Sequence, residues 1–243
     1  MPVARFEAPA DGGPHLPPYR EQPGRRQAPE PIFNAPWVVL LLTGALIGGY
    51  AIQSRFPLDA VAMSFAFSPA LLAEGHWERL FSALFLHGSW PHVLMNAGFC
   101  LAFGAPVARY FGEGLRGAVM FLAFYLACGV LSSLGYAALH WGEQSGLVGA
   151  SGAVSGLMGA AARLMAGRGR VGPILSQTVL GMGAIWFAIN AVIGLLGSGL
   201  LPGAGGAAVA WEAHIAGFVA GVLLMSPVDW LHRRAERRRF TRA

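Results

Sequence analysis

The segment "LVGASGAVSGLMG", residues 147–159, places serine among small residues at the start of an apolar run. Gly152, Gly156 and Ala160 recur every fourth residue, so they share one face of a helix. A face of small residues is typical of membrane helices whose backbones approach closely. Ser151 therefore has two interpretations: a small packing residue, or a nucleophile held next to a partner helix.

The composition indicates a membrane protein. Of the 243 residues, 55% are hydrophobic and 12% are charged, whereas charged residues make up about a quarter of an ordinary soluble domain. Cys100 and Cys128 lie in apolar runs without close spacing, so they predict neither a disulfide framework nor a metal cluster. Both are interpreted as small buried side chains.

Six apolar runs predict transmembrane helices, each of which needs about 20 residues. They cover residues 37–53, 91–108, 117–139, 148–166, 178–196 and 207–228. The predicted fold class is therefore all-α, a polytopic membrane protein with a six-helix domain over residues 36–230. The proline-rich residues 1–35 are predicted to form a disordered cytoplasmic tail, and residues 231–243 a basic cytoplasmic tail.

The distribution of arginine predicts the orientation in the membrane. Most arginines fall on one side of the predicted spans: Arg5, Arg20, Arg25, Arg26, Arg109, Arg116, Arg163, Arg168, Arg170 and those of "HRRAERRRFTRA". The other side carries Arg55 and Arg79. By the positive-inside rule, both termini are predicted to be cytoplasmic. The basic C-terminal tail is interpreted as contacting the anionic lipid bilayer, and no nucleic-acid partner is expected.

Polar side chains in the second, fourth and sixth spans are predicted to lie at similar depth. These three spans run in the same direction, and each polar group lies within roughly 10 to 15 Å of the outer helix end. The groups are His92 and Asn96, then Ser151, then His214. An ionisable residue inside a membrane is a functional candidate by default. The sequence therefore permits one shared site that opens to the outer side.

Serine and histidine in contact would provide acyl-transfer chemistry. His214 would take the hydroxyl proton of Ser151, which would then attack a carbonyl carbon. Glu212 points about 200° away from His214 around a helix, so the prediction is a dyad without an acidic third member. Asn190 in the fifth span is interpreted as an interhelical hydrogen-bonding residue without a catalytic role.

A stabilising site for the resulting oxyanion is also predicted. Ser151 lies at a helix N-terminus, where backbone N–H groups have no partner within the helix. His92 and Asn96 are four residues apart, so their side chains lie on one face of the second span. These donors would converge on the developing negative charge.

At these residues the sequence resembles the rhomboid family of intramembrane serine proteases. The motifs are "HGSWPHVLMN" (87–96), "GASG" (149–152) and "AHIAGFVAG" (213–221), within a resemblance of roughly residues 77–224. The resemblance implies a six-helix rhomboid fold with Ser151 as nucleophile and His214 as general base. It implies an oxyanion hole formed by His92, Asn96 and the Ser151 N–H. It also implies single-span membrane-protein substrates, no metal or cofactor, and a bacterial inner membrane location.

Some positions depart from common family residues. Glu78 replaces a frequent tryptophan, Ala108 a frequent glutamate, and Ser155 an aromatic residue that often packs on the catalytic histidine. In the loop before the second span, residues 56–89, the resemblance matches Arg79 and His87 to residues that we interpret as structural. Residues 197–208 are glycine-rich, and two interpretations stay open for them: a flexible cover over the site or a plain connector.

The sequence favours a protease over three other classes of protein. A rhomboid-like pseudoprotease would bind client helices without cleaving them, but such members typically lack the serine or the histidine. A transporter is disfavoured because no inverted repeat or paired intramembrane acids appear. A metal hydrolase built on His76, His87 and His92 lacks an HExxH motif. The substrate and the oligomeric state are left open by the sequence.

Overall fold

The described chain folds as α-helices. A computed structural model describes residues 35–196 and 210–240. Within those ranges there is no strand, and pairing of extended segments is limited to two isolated β-bridges. The prediction of an all-α membrane bundle is therefore confirmed. The predicted N-terminal tail, apart from its last residue, and the glycine-rich segment 197–208 lie outside the described residues.

The helices follow the predicted order of spans. In chain order the described residues form α1 (Trp37–Gln53), α2 (Leu58–Phe65), α3 (Pro69–Ala73), α4 (Arg79–Ser82), α5 (Trp90–Phe111), α6 (Leu115–Leu139), α7 (Ser151–Ala166), α8 (Gln177–Leu196) and α9 (Trp211–Phe240). The long helices α1 and α5–α9 correspond to the six predicted spans. α9 continues to Phe240, so helical backbone extends through most of the segment predicted as a basic tail.

Four of the long helices, α5, α6, α8 and α9, have the length and composition needed to cross a membrane. The other two are shorter than the roughly 20 residues that span a bilayer, with 17 residues in α1 and 16 in α7. α7 is enclosed by its neighbours, and from Gly152 to Leu164 every residue of it is buried. A helix shielded by protein on all sides does not need to match the thickness of the lipid.

α7 and α9 meet at the predicted small-residue faces. A Cβ atom added at Gly217 would lie 2.1 Å from the backbone oxygen of Gly152, and one added at Gly221 would lie 1.9 Å from that of Gly156. Any side chain at these positions would separate the helices. The prediction that the fourth and sixth spans are built for close contact is confirmed, and this contact brings the start of α7 beside the start of α9.

The loop between α1 and α5 is tied to the segment that leads into α7. Phe67 and Leu147 exchange two backbone hydrogen bonds, of 3.1 and 2.7 Å. Two residues further on, the Gly149 N–H donates to the carbonyl of Ala83 at 2.9 Å. These bonds hold the chain immediately before Ser151 in a fixed, non-helical path.

Candidate active site

Ser151 and His214 are in direct contact. The Ser151 Oγ and the His214 Nε2 are 2.8 Å apart, although 63 positions separate the residues in the chain. Ser151 is the first residue of α7, and His214 lies in the first turn of α9. The structure therefore brings the two predicted catalytic side chains together at hydrogen-bonding distance, the separation that proton transfer requires.

The backbone two residues before Ser151 strongly favours glycine. Gly149 has φ of +124°, a conformation that residues with a Cβ atom rarely adopt. A Cβ atom at this position would also lie 2.8 Å from the Nε2 of His92. The turn at Gly149 lets α7 begin at Ser151, three residues later than the sequence predicted, and leaves the first backbone N–H groups of α7 without intrahelical acceptors.

The two predicted oxyanion residues lie beside this turn. From the added Cβ position at Gly149, the Nε2 of His92 is 2.8 Å away and the Nδ2 of Asn96 is 3.7 Å away. Asn96 is 2% exposed, and within the described chain its Nδ2 has no hydrogen-bond partner. The Nδ1 of His92 is a distant acceptor, at 3.5 Å, for the Gly88 N–H. With Nδ1 turned toward this N–H, the tautomer that carries its hydrogen on Nε2 fits the site, and both side chains can then offer an N–H donor.

These groups line one cavity of about 510 Å³. Its wall includes Ser151, His214, His92 and Asn96, together with Trp186 of α8. The cavity is mostly apolar with a few polar groups, as is usual for a ligand site. All four side chains predicted to form the site are therefore present in the same space.

The structure adds α8 to the site, which the sequence analysis did not. The Oδ1 of Asn190 lies 2.7 Å from the Nδ1 of His214. The ring of Trp186 lies 5.9 Å from the imidazole, centroid to centroid, at an angle of 37°. Asn190 is interhelical, as predicted, but its partner is the candidate general base. The family pattern gave no signal for this contact because Asn190 lies outside the motifs that carry the resemblance.

The surroundings of Arg79 and His87 fit their structural interpretation, since the first is hydrogen-bonded and the second is buried. The guanidinium of Arg79 donates to the carbonyls of Met63 and Ala66, at 2.9 and 3.1 Å, and so closes the C-terminal end of α2. His87 is 1% exposed, and its burial, with a smaller contribution from the charge of His92, lowers its pKa to about 3. His87 is therefore neutral at physiological pH.

Glu212, Ala108 and Ser155 have contacts other than the Ser151 hydroxyl and the His214 imidazole. Glu212 faces His140, with 3.4 Å between Oε1 and Nε2, rather than His214. Ala108 is 1% exposed within the apolar core, so no polar group is buried where the family often has glutamate. Ser155 donates to the carbonyl of Ser151 at 2.7 Å, so it packs within α7 instead of against the imidazole.

Comparison with known proteins identifies the family. A family profile described as the Rhomboid domain matches residues 74–228, which is more than half of the chain. The chain therefore belongs to the rhomboid family, and it is an integral membrane protein. It is similar to the Rhomboid protease GluP of Bacillus subtilis (strain 168), with 34% identity over 91 residues. That match covers 37% of this chain and 16% of the relative's length.

Proposed function

We propose that this protein is an intramembrane serine endopeptidase that cleaves single-span membrane proteins in or near the membrane-spanning segment. The observation that carries the proposal is the 2.8 Å contact between the Ser151 hydroxyl and the His214 imidazole. A hydroxyl beside a neutral imidazole in a cavity with N–H donors is the arrangement that acyl transfer requires. Membership of the rhomboid family and the likeness to a rhomboid protease support it further.

In the acylation step the Ser151 Oγ attacks the carbonyl carbon of the scissile peptide bond. The hydroxyl proton passes to Nε2 of His214 as the bond from Oγ to carbon forms. The imidazolium then gives this proton to the amide nitrogen, the carbon–nitrogen bond breaks, and the new amine leaves. The product is an acyl-enzyme ester on Ser151.

The tetrahedral intermediate carries its negative charge on the former carbonyl oxygen. The donors available to this oxygen are the Nε2–H of His92, the Nδ2–H of Asn96 and the backbone N–H of Ser151. Asn96 supports this role because its amide donor is buried and without a partner in the described chain. A donor that is already desolvated and fixed stabilises a developing charge without reorganisation, and one such donor is worth about 3 kcal/mol.

In the deacylation step water replaces the departed amine. The His214 Nε2 takes a proton from water, the hydroxide attacks the ester carbonyl, and the Ser151 oxygen leaves with the proton returned from the imidazolium. A membrane site must admit water for this step. The 16 residues of α7 span about 24 Å, whereas the hydrocarbon core is about 30 Å thick. Because α7 extends about 24 Å from Ser151 toward the other surface, a site at its start lies away from the membrane centre.

The distribution of arginine favours the non-cytoplasmic side for the membrane surface nearer Ser151. Under the positive-inside rule the arginine-rich segments face the cytoplasm, and so do both termini. In a bacterial inner membrane the cavity would then open toward the periplasm. The substrate helix must unwind near the cut, because the backbone groups of an intact membrane helix already bond to each other.

The test combines covalent labelling with cleavage. The purified protein is placed in liposomes with a single-span reporter substrate, and is separately exposed to a fluorophosphonate probe. Wild type is expected to cleave the reporter and to be labelled, whereas Ser151→Ala and His214→Ala should do neither. Ser155→Ala is the matched control, since it removes a serine one turn further along α7, and it should still be labelled.

Two results would contradict the proposal. Cleavage of the reporter by Ser151→Ala would show that Ser151 is not the nucleophile. Wild type that binds the reporter but is neither labelled nor active would be behaving as a pseudoprotease that retains client helices.

A further inference from the structure

The orientation of the candidate catalytic histidine is set by α8. The Oδ1 of Asn190 lies 2.7 Å from the Nδ1 of His214, on the side of the ring opposite Ser151. Asn190 is 1% exposed, so the acceptor side of this contact is buried. The imidazole therefore makes one hydrogen bond from each nitrogen, to α8 and to α7.

The amide orientation of Asn190 is itself fixed. Its Nδ2 donates to the backbone carbonyl of Trp186, one turn earlier on α8, at 2.8 Å. With the nitrogen engaged in its own helix, the amide oxygen is the atom that faces the imidazole. An amide oxygen can only accept, so the hydrogen of a neutral His214 must be on Nδ1.

This assignment decides what the other nitrogen does. With the hydrogen on Nδ1, Nε2 presents a lone pair to the Ser151 hydroxyl and can accept its proton. In the opposite tautomer Nε2 would carry a hydrogen and would donate to the hydroxyl, which prevents general-base catalysis. The amide oxygen also stabilises the imidazolium that forms when the proton is transferred, because hydrogen bonds to charged groups are the stronger ones.

The aromatic side chain next to the His214 imidazole, Trp186, also belongs to α8. Trp186 lies four residues before Asn190, so both side chains leave α8 on the same face. The indole lies 5.9 Å from the imidazole, whereas Ser155 on α7 bonds to its own helix. One helix therefore provides both the ring contact and the hydrogen bond that hold His214.

We propose that Asn190 is a positioning residue that fixes the tautomer and orientation of His214 in the Ser151–His214 pair. This inference rests on the proposed protease function. Asparagine fits this position in a membrane, because an aspartate there would place a further charge inside the bundle.

The experiment compares two substitutions at one position. Asn190→Leu keeps the approximate volume but removes the acceptor, and it is expected to lower kcat by about 10- to 100-fold, the value of one hydrogen bond to a charged group. KM should change little, because Asn190 acts on the proton transfer. Asn190→Asp keeps an acceptor and adds charge, which should retain more activity than Asn190→Leu.

The pH dependence separates positioning from a merely structural role. A carboxylate at Nδ1 stabilises the imidazolium, so Asn190→Asp should move the acid limb of kcat/KM to higher pH. Asn190→Leu removes an acceptor from the imidazolium and should move that limb to lower pH. His92 of α5 is an ionisable side chain that lines the same cavity as His214. It is the same in every variant, so differences between variants report on position 190.

Val192→Ala provides the control, since this side chain is on α8 but is 50% exposed on the outer face. The inference alone fails if wild type cleaves the reporter while Asn190→Leu matches Val192→Ala in kcat and acid limb. If wild type is neither labelled by the fluorophosphonate nor active, the proposed function fails and this inference with it. If Asn190→Leu does not fold, the test rests on Asn190→Asp. An acid limb of kcat/KM that is unshifted from wild type in Asn190→Asp would overturn the assignment of Asn190.

Discussion

Replacing Gly149 with alanine should weaken the stabilisation of the oxyanion while leaving Ser151 and His214 in place. The new Cβ atom would lie 2.8 Å from the Nε2 of His92, and ordinary contact begins at 3.4 Å. The imidazole of His92 must then withdraw by about 0.6 Å. A donor bond of about 2.9 Å to the oxyanion would lengthen to about 3.5 Å, at the limit of a hydrogen bond.

The expected loss follows from that displacement. Removal of one oxyanion donor lowers kcat by about 10²- to 10³-fold, so Gly149→Ala should lower kcat by about 10²-fold. KM should change much less, because the donor acts mainly on the transition state. The backbone adds a separate cost, since φ of +124° is unfavourable for alanine and costs about 1 to 3 kcal/mol of stability.

Gly142 offers a control that separates these two effects. It also has a positive φ, of +80°, but an added Cβ atom there has no neighbour within 4 Å. Gly142→Ala should therefore lose stability without losing kcat. Both variants would be assayed in liposomes for kcat, KM and unfolding temperature. Equal kcat for the two variants would refute the assignment of His92 as a donor held against Gly149.

Further predictions concern stability, measured by thermal unfolding in detergent. Because burial lowers the pKa of His87 to about 3 from an ordinary value near 6.5, the unfolded state binds more protons between these values. The free energy of unfolding should fall as pH drops below about 6.5, by up to about 1.4 kcal/mol per pH unit. In His87→Phe the free energy of unfolding should fall less steeply with pH. Gly221→Ala should destabilise strongly, since its Cβ atom would lie 1.9 Å from the Gly156 oxygen, whereas Gly181→Ala, with no neighbour within 4 Å, should not. Arg163→Met should cost about 3 kcal/mol, because the buried guanidinium bonds two carbonyls and a hydroxyl; a smaller loss than that of Gly181→Ala would contradict this.

Much of the fold could be predicted from the sequence because membrane helices are recognisable as long apolar segments. The predicted bounds of α1 match the structure at both ends. The start of α7 did not match, since Gly149 and its unusual φ interrupt an apolar run that continues without a polar break. The short helices α2, α3 and α4 were not predicted individually, because each has eight residues or fewer and no clear period.

The site was partly predictable for a related reason. Ser151, His92, Asn96 and His214 lie near helix ends, so the direction and length of each span set their depth. The contact between Asn190 and His214 depends instead on how α8 is rotated about its axis. Apart from Asn190 and the two polar residues at its N-terminus, α8 is apolar around its circumference, so its sequence does not indicate which neighbouring side chain Asn190 meets.

The dependence of the imidazole on α8 links turnover to the surrounding lipid. α8 has 20 residues and so is about 30 Å long, close to the hydrocarbon thickness of an average bilayer. Acyl chains that are shorter or longer than this would make such a helix tilt to relieve the mismatch. Trp186 and Asn190 would move with the tilt and would shift the imidazole that they hold. The length of the lipid acyl chains would then alter the rate of turnover without any chemical change in Ser151 or His214.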